Sequence, residues 1–326
     1  MKNLTLIFAL LFCLLGLQQQ IHAQTRQADS IALVMLYDST DGANWTTTWD
    51  LTMPMSSWHG VTLTGGRVTT VNLQNNNLVG TLPDLNLINL IYLYLNNNQL
   101  TGSIPNFTNL TNLNYLYLSN NQLTGSIPNF ANLTNLTRLS LSYNLLTGSI
   151  PNFTNLTNLT MLLLNNSQLT FSAILPNYST LSALSIFYYA PQDSIGTAQT
   201  ISVATGSNYT IDLVIDDTVT TNTYYWYKDG TLIDSTFGVN EYTISNFQAS
   251  DIGVYTASIT NSIVTNPSGS FQNLILYSRP IMLDMGLSIS QTQSIPTLQV
   301  QPNPVSDLLY INTQAVQGDY LVSLID

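Results

Sequence analysis

Cysteine is all but missing from this chain: among 326 residues only Cys13 is one, and it lies in an apolar N-terminal run. A disulfide-stapled scaffold, thiol catalysis and cysteine-bound zinc are thereby excluded. Charge is almost as scarce. Six Lys plus Arg stand against 17 Asp plus Glu, a formal net charge of −11. With no basic stripe anywhere, nucleic acid and anionic membrane are poor partners. Only His22 and His59 could serve as imidazole bases. Gly-x-Ser-x-Gly, His-Glu-x-x-His and phosphate-loop patterns are also missing, so the composition points away from an enzyme and implies no cofactor or metal.

The first thing present is an address. Lys2 precedes an apolar run from Leu4 to Leu17, and Gln18 to Ala23 supplies a polar end with a small residue at a plausible cut. This order is that of a secretory signal peptide over 1–23. The run is short for a bilayer span, so membrane insertion is not expected. Without it the chain keeps five Lys plus Arg against 17 Asp plus Glu, a net charge of −12. That length predicts two or three domains.

From Val68 to Leu184 one phrase recurs. Leu90-Leu93-Leu95-Asn98-Leu100, Leu113-Leu116-Leu118-Asn121-Leu123 and Leu136-Leu139-Leu141-Asn144-Leu146 are each followed by Thr-Gly-Ser-Ile-Pro. Val68-Val71-Leu73-Asn76-Leu78 opens the series, and Leu159-Leu162-Leu164-Ser167-Leu169 closes it imperfectly. The period of about 23 residues is the leucine-rich repeat signature. Period-two alternation sends both leucines of each L-x-L inward. Asn76, Asn98, Asn121 and Asn144 are expected to stack as a buried ladder that satisfies backbone groups at each turn. Gly102, Gly125 and Gly148 should begin a non-strand return path, with Phe107, Phe130 and Phe153 filling its inner side. No turn can bury its apolar face alone, so the array must stack.

On either side the pattern changes. Residues 30–37 read as a short helix capped by Asp29, followed by Trp45, Trp49 and Trp58-His59-Gly60-Val61. This stretch resembles the N-terminal cap of plant-type leucine-rich repeat proteins, without their cysteine pair, and assigns 24–67 to a cap with Trp58 as a structural residue. Beyond Leu184 the repeat fades into short alternating segments, which suggest an antiparallel sandwich over 189–278. Trp226-Tyr227-Lys228-Asp229-Gly230 and Asp251-Ile252-Gly253-Val254-Tyr255 resemble an immunoglobulin-like domain. The resemblance implies a core role for Trp226, a corner role for Tyr255, and Leu213 and Ala257 in place of the family's disulfide. Residues 279–297 read as a linker. Pro302-Asn303-Pro304-Val305-Ser306-Asp307, with strands over 308–326, resembles the start of the C-terminal sorting domain of Bacteroidetes type IX secretion. It implies export by that machinery to the exterior or outer surface, with the signal itself cut short at 326.

Candidate sites are few. His59 sits in the expected cap, which favours structure over catalysis. Asp216-Asp217 is weighed as a cation site, although adjacent loop carboxylates are usually just solvated. What remains is the concave sheet, whose outward positions include Tyr92, Tyr94, Tyr115, Tyr117, Arg138, Ser140 and Ser142. Tyrosine offers rigid contact area with a polar tip, suited to protein or glycan, yet it also suits any exposed strand. The expected fold is thus mainly β: a leucine-rich repeat solenoid (68–188) with a helical cap, then an immunoglobulin-like sandwich. The expected function is non-enzymatic recognition or adhesion. A glycan-holding accessory to polysaccharide breakdown and a structural surface-layer component stand as alternatives.

Overall fold

The computed structural model describes residues 26–216, 218–265 and 273–286. The expected signal peptide, Asp217 and the sorting segment at 298–326 lie outside the described residues. A helix, α1, spans 26–39. Strands then alternate between two sheets on opposite sides of a stack of turns, parallel except for the antiparallel pair that opens the first. β1 (Val61–Thr64) and β2 (Arg67–Asn72) open the main sheet and β3 (Val79–Thr81) the back sheet. β4 (Tyr92–Tyr94) and β5 (Gln99–Ser103), β6 (Tyr115–Tyr117) and β7 (Gln122–Gly125), and β8 (Arg138–Ser140) and β9 (Leu145–Leu146) continue the alternation. β10 (Met161–Leu163) and, after two short helices α2 (Phe171–Ile174) and α3 (Tyr178–Leu181), β11 (Ile186–Tyr188) complete the main sheet.

The main sheet runs β1-β2-β4-β6-β8-β10-β11 and the back sheet β3-β5-β7-β9. The back sheet replaces the expected non-strand path: Leu100-Thr101-Gly102-Ser103 is extended and pairs before the chain turns at proline. Gly102 takes φ 74° near the end of β5, and Gly125 and Gly148 take the same left-handed conformation in the next two turns. Between the sheets Leu93, Leu95, Leu100, Leu116, Leu118 and Leu123 are fully buried. Each contributes about 1.5–3 kcal/mol of burial relative to exposure. Phe107 and Phe130 are buried as predicted, but at φ 50° and 48°, a conformation costing roughly 1–3 kcal/mol for a non-glycine residue. Complete burial of both rings offsets that cost.

The asparagine ladder forms, and each rung reaches back one turn. Asn98 Oδ1 accepts the N–H groups of Asn76 and Leu78, both at 3.0 Å, while its Nδ2 donates to the carbonyls of Leu73 and Leu95 at 2.9 Å. Asn121 accepts from Leu100 N and donates to Leu95 O and Leu118 O; Asn144 does the same with Leu123, Leu118 and Leu141. Asn98 is only half-buried, unlike the expectation, yet makes the same bonds. Asn76 ties the first turn to the N-terminal segment through Thr47, accepting its N–H at 2.7 Å and donating to its carbonyl.

The stack does not end where the leucines fade. β11 pairs with β10 in register, Leu162 opposite Phe187, so Phe187 and Tyr189 take the core positions of a further turn. At the matching ladder position stands Gln192. Its Oε1 accepts the N–H groups of Ser167 and Leu169, and its Nε2 donates to Leu164 O and Tyr189 O. Ser167, which occupies the previous rung, has no partner for its buried hydroxyl.

Asp29 does not cap a helix. It lies inside α1, almost fully buried, and its carboxylate takes Arg67 in a two-pronged ion pair at 2.8 and 2.9 Å together with Val68 N–H at 3.0 Å. Those bonds push the Arg67 guanidinium up in pKa and fix α1 to the start of β2. Trp45, Trp49 and Trp58 are buried in a chain of ring contacts with centroids 4.9 Å apart, and each indole N–H donates to a backbone carbonyl.

The remaining strands are β12 (Gln199–Ala204), β13 (Tyr209–Asp212), β14 (Asn222–Lys228), β15 (Thr231–Phe237), β16 (Glu241–Ile244), β17 (Gly253–Asn261), β18 (Leu276–Tyr277) and β19 (Ile281–Gly286). One sheet runs β12-β19-β17-β14-β15 with β18 on β17, and β13 pairs with β16. Trp226 and Tyr224 are buried. Trp226 Nε1 donates to Thr236 Oγ1 at 3.2 Å and Tyr255 Oη to Asp251 O at 2.8 Å. Leu213 and Ala257 are also buried. Asp229 and Gly230, at φ 48° and 79°, close the β14–β15 hairpin as the Asp-Gly pair predicts. The stretch expected to begin a linker at 279 instead contributes β19, parallel to β12 and antiparallel to β17. Ile281 and Leu283 alternate into the core, a period-two signal too short to stand out beside the polar tail that follows.

Candidate functional site

Register puts the predicted face together. Thr70, Tyr92, Tyr115, Arg138, Met161 and Ile186 align across the main sheet, and so do Asn72, Tyr94, Tyr117, Ser140, Leu163 and Tyr188. Leu93, Leu116 and Leu139 point inward between the two rows, which leaves the tyrosines on the outer face.

The four tyrosines form a closed square. Along each strand the rings are stacked, Tyr92 on Tyr94 at 6.2 Å and Tyr115 on Tyr117 at 6.1 Å. Between strands they meet at an angle: Tyr92–Tyr115 at 5.0 Å and 60°, Tyr94–Tyr117 at 5.2 Å and 81°. All four are half-buried. Burial, then the neighbouring phenols of Tyr117, Tyr115 and Tyr92, push the Tyr94 hydroxyl up in pKa, with Arg138 opposing. The Tyr94 phenol therefore remains a neutral hydrogen-bonding group through the ordinary pH range.

Arg138 stands exposed at the edge of the square, its guanidinium 4.8 Å from the Tyr115 ring centroid. Tyr117, by a hydrogen bond, and then Tyr115 raise its pKa. Among the described residues the ion pair reported is Arg67 with Asp29, and Arg138 takes no part in it. Beside Arg138 the face changes character. Ser140 and Ser142, expected as open positions, are 5% and 4% exposed: Ser140 lies between the longer Tyr117 and Leu163 of its row, and Ser142 lies beside Asn165. Ser142 Oγ donates to Asn165 Oδ1 at 2.8 Å. Asn96, in the same row as Ser142, keeps a buried Oδ1 with no partner.

The other candidates fall to structural tasks. Asp216 is no cation ligand here: its two carboxylate oxygens accept the N–H groups of Phe171 and Ser172 at 2.8 and 2.9 Å. It thus closes the start of α2, a role its place in a loop more than forty residues later could not reveal. His59 is exposed, and only its backbone carbonyl is engaged, by Trp49. No cluster of three or more His, Cys, Asp or Glu that could hold a metal occurs among the described residues, and no described helix is long and apolar enough to cross a membrane.

Sequence-family comparison matches residues 88–132 to "Leucine Rich repeats (2 copies)" and 135–156 to "Leucine Rich Repeat". No curated protein matches the chain. Solved structures similar to it include the BIR2 ectodomain of Arabidopsis thaliana, at 32% identity over 44% of this chain and 81% of that one, TM-score 0.41. The internalin-like protein lmo2027 of Listeria monocytogenes is 28% identical over 64% of this chain and 62% of its own, TM-score 0.39. The PEPR1–AtPEP1 structure is 27% identical over 43% of this chain, TM-score 0.40, and the chain spans only 21% of it. The family matches and the in-register stacking of Leu93, Leu116, Leu139 and Leu162 together establish that this chain contains a leucine-rich repeat array.

Proposed function

We propose that this is a secreted or outer-surface recognition protein without enzymatic activity, and that it captures a ligand on the concave face of its repeats through Tyr92, Tyr94, Tyr115, Tyr117 and Arg138. The observation that carries the reading is the tyrosine square: four half-buried aromatic side chains gathered on one face between Thr70 and Asn72 on one side and Arg138 and Ser140 on the other. Aromatic anchors held by their neighbours lose little freedom on binding, which is what a recognition centre requires.

The flanking units support the same reading. α1 and the three packed tryptophans act as an N-terminal cap over the first turn, protecting a leucine core that would otherwise be open. Residues 199–286 act as an immunoglobulin-like spacer; buried Trp226 and the bond from Tyr255 to Asp251 suit that assignment. Export through a signal peptide and type IX sorting would place the array outside the cell.

A protein ligand is favoured over a glycan by ring geometry. Across the strands the rings meet at 60° and 81°, so the square offers no coplanar platform for a sugar ring. The test is to array the full chain against proteins and glycans beside a Tyr94→Ala/Tyr117→Ala variant that keeps its melting temperature. Protein hits lost in the variant uphold the reading. Protein hits retained by the variant overturn the tyrosine face, and variant-sensitive hits on glycans alone replace protein capture with glycan capture.

A further inference from the structure

We infer that residues 199–286 carry a second binding face, separate from the concave one: the open side of the sheet β12-β19-β17-β14-β15 takes an uncharged, β-linked polysaccharide chain. The two sides of this sheet are unlike. Trp226 of β14, Tyr255 and Ala257 of β17, and Leu276 of β18 are buried and mark the core side. Alternation sends Tyr225, Tyr227, Ser258 and Tyr277 to the other. Register then sets them in rows. Tyr277, Ser258, Tyr225 and Ser235 stand opposite one another across four strands, and Thr256, Tyr227 and Leu232 form the row beside them. Phe237 ends the row on the far side, opposite Thr223. Tyr277, Leu232 and Phe237 are 53%, 54% and 67% exposed, values that a covering layer would not leave. Tyr227 Oη lies 3.3 Å from Ser258 Oγ. A serine hydroxyl stands low on a sheet, so the Tyr227 ring lies along the surface, shades Ser258 and presents its length to solvent.

Spacing and charge select the ligand. Tyr277 and Tyr225 are two strands apart, about 10 Å, and Tyr225 and Tyr227 are two residues apart on one strand, about 7 Å. The first distance is close to the two-ring repeat of an extended β-linked pyranose chain. Such a chain offers C–H faces to aromatic rings and hydroxyls to the groups between them, here Ser235, Thr256 and Thr223. Backbone N–H and C=O groups inside a sheet are spent in its ladders, so this face answers a ligand with side chains alone. Charge complementarity points the same way. In a chain of net charge −11, these three rows hold no carboxylate, Lys or Arg; Asp234 of β15 stands opposite Trp226 and belongs to the core side. An acidic polysaccharide is repelled by the rest of the chain and a basic one finds no anion in the rows, whereas a neutral one meets a neutral surface.

The experiment is calorimetric titration of the full chain with cellohexaose, xylohexaose and laminarihexaose, and with oligogalacturonate as the charged counterpart, at low and high salt. At least one neutral hexaose should bind, with an affinity indifferent to salt. Tyr277→Ala and Tyr225→Ala should each weaken it about tenfold, and Tyr227→Phe, which frees the ring from Ser258, by a smaller factor. Tyr143→Asn, at an exposed tyrosine of the repeats, leaves it unchanged. Unfolding midpoints confirm that the variants keep their fold, which the exposure of Tyr277 already favours. Failure of every neutral hexaose, preference for oligogalacturonate, or binding indifferent to Tyr277 and Tyr225 overturns the proposal. Sugar binding lost instead in Tyr94→Ala/Tyr117→Ala moves the site to the concave face and overturns it too. So does a dimer in sedimentation that Phe237→Ser dissolves while no sugar binds, which gives the face to a second copy of the chain.

Discussion

The two β-rich regions satisfy their backbones by opposite means. In the repeats the strands are mostly three residues long, too short to close their own turns, and a side-chain amide does it once per coil: Asn98, Asn121, Asn144 and finally Gln192. In residues 199–286 the strands reach nine residues and pair along their length, with β14 joined to β17 over seven consecutive positions. Side chains there serve chiefly at corners, as when Asp229 accepts Val254 N–H and Tyr255 reaches Asp251, with Ser278 Oγ accepting Ala257 N–H inside β17. Short parallel coils thus concentrate stability in single interior amides, whereas long antiparallel strands spread it over the ladder.

The sharpest way to break that contrast is Asn121→Ala. It strands Leu100 N in the interior, takes one of two amide donors from each of the carbonyls of Leu95 and Leu118, and should destabilise by about 3–5 kcal/mol in chemical unfolding. A change below 1 kcal/mol would show that the amide is dispensable. Gln192→Ala should remove about 2–4 kcal/mol from the same measurement, by stranding Ser167 N and Leu169 N. If it matches a surface substitution, the last coil is not part of the stack.

On the other side of the comparison Tyr255→Phe deletes one corner bond and should remove only about 1 kcal/mol. Its pH behaviour gives a separate handle. Burial, and then Asp251, push the Tyr255 hydroxyl up to about 12, against about 10 in an unfolded chain. The neutral phenol is the form the fold favours, so this contribution is complete below pH 10 and is lost as pH rises through 12. Urea midpoints at pH 9.5, 11 and 12 should fall less steeply in the variant than in wild type; parallel curves would contradict the assignment. The smallest effect is a gain. Tyr143 takes the left-handed position (φ 56°) that Asn97, Asn120 and Asn166 take in other coils, and it is exposed. Tyr143→Asn should raise stability by about 0.5–1 kcal/mol in thermal melts, since Asn tolerates that conformation.

Legibility in the sequence followed the same divide. Coils that repeat their leucines and asparagines announce themselves, and with them the tyrosine square, because register alone decides which neighbours meet. The last coil hides because Phe187, Tyr189 and Gln192 do the work of Leu, Leu and Asn. Gln192 is recognisable only after Ser167 is seen to leave its rung unfilled. Asp29 is hard to read for a different reason: a carboxylate near a helix start looks like a cap, and its partner Arg67 lies 38 residues on. Asp216 raised the same difficulty across a longer gap. The shading of Ser140 and Ser142 depends on side-chain lengths in adjoining coils, which no single repeat displays.

The ladder also has a direction. Asn98 serves Leu78, Asn121 serves Leu100, Asn144 serves Leu123 and Gln192 serves Leu169, so each of these four coils is closed by the one that follows it, and the coil of Leu146, whose next rung is Ser167, goes without. A chain leaving the ribosome N-terminus first therefore holds each of the four unfinished until the next coil has emerged, and their maturation trails synthesis by one coil.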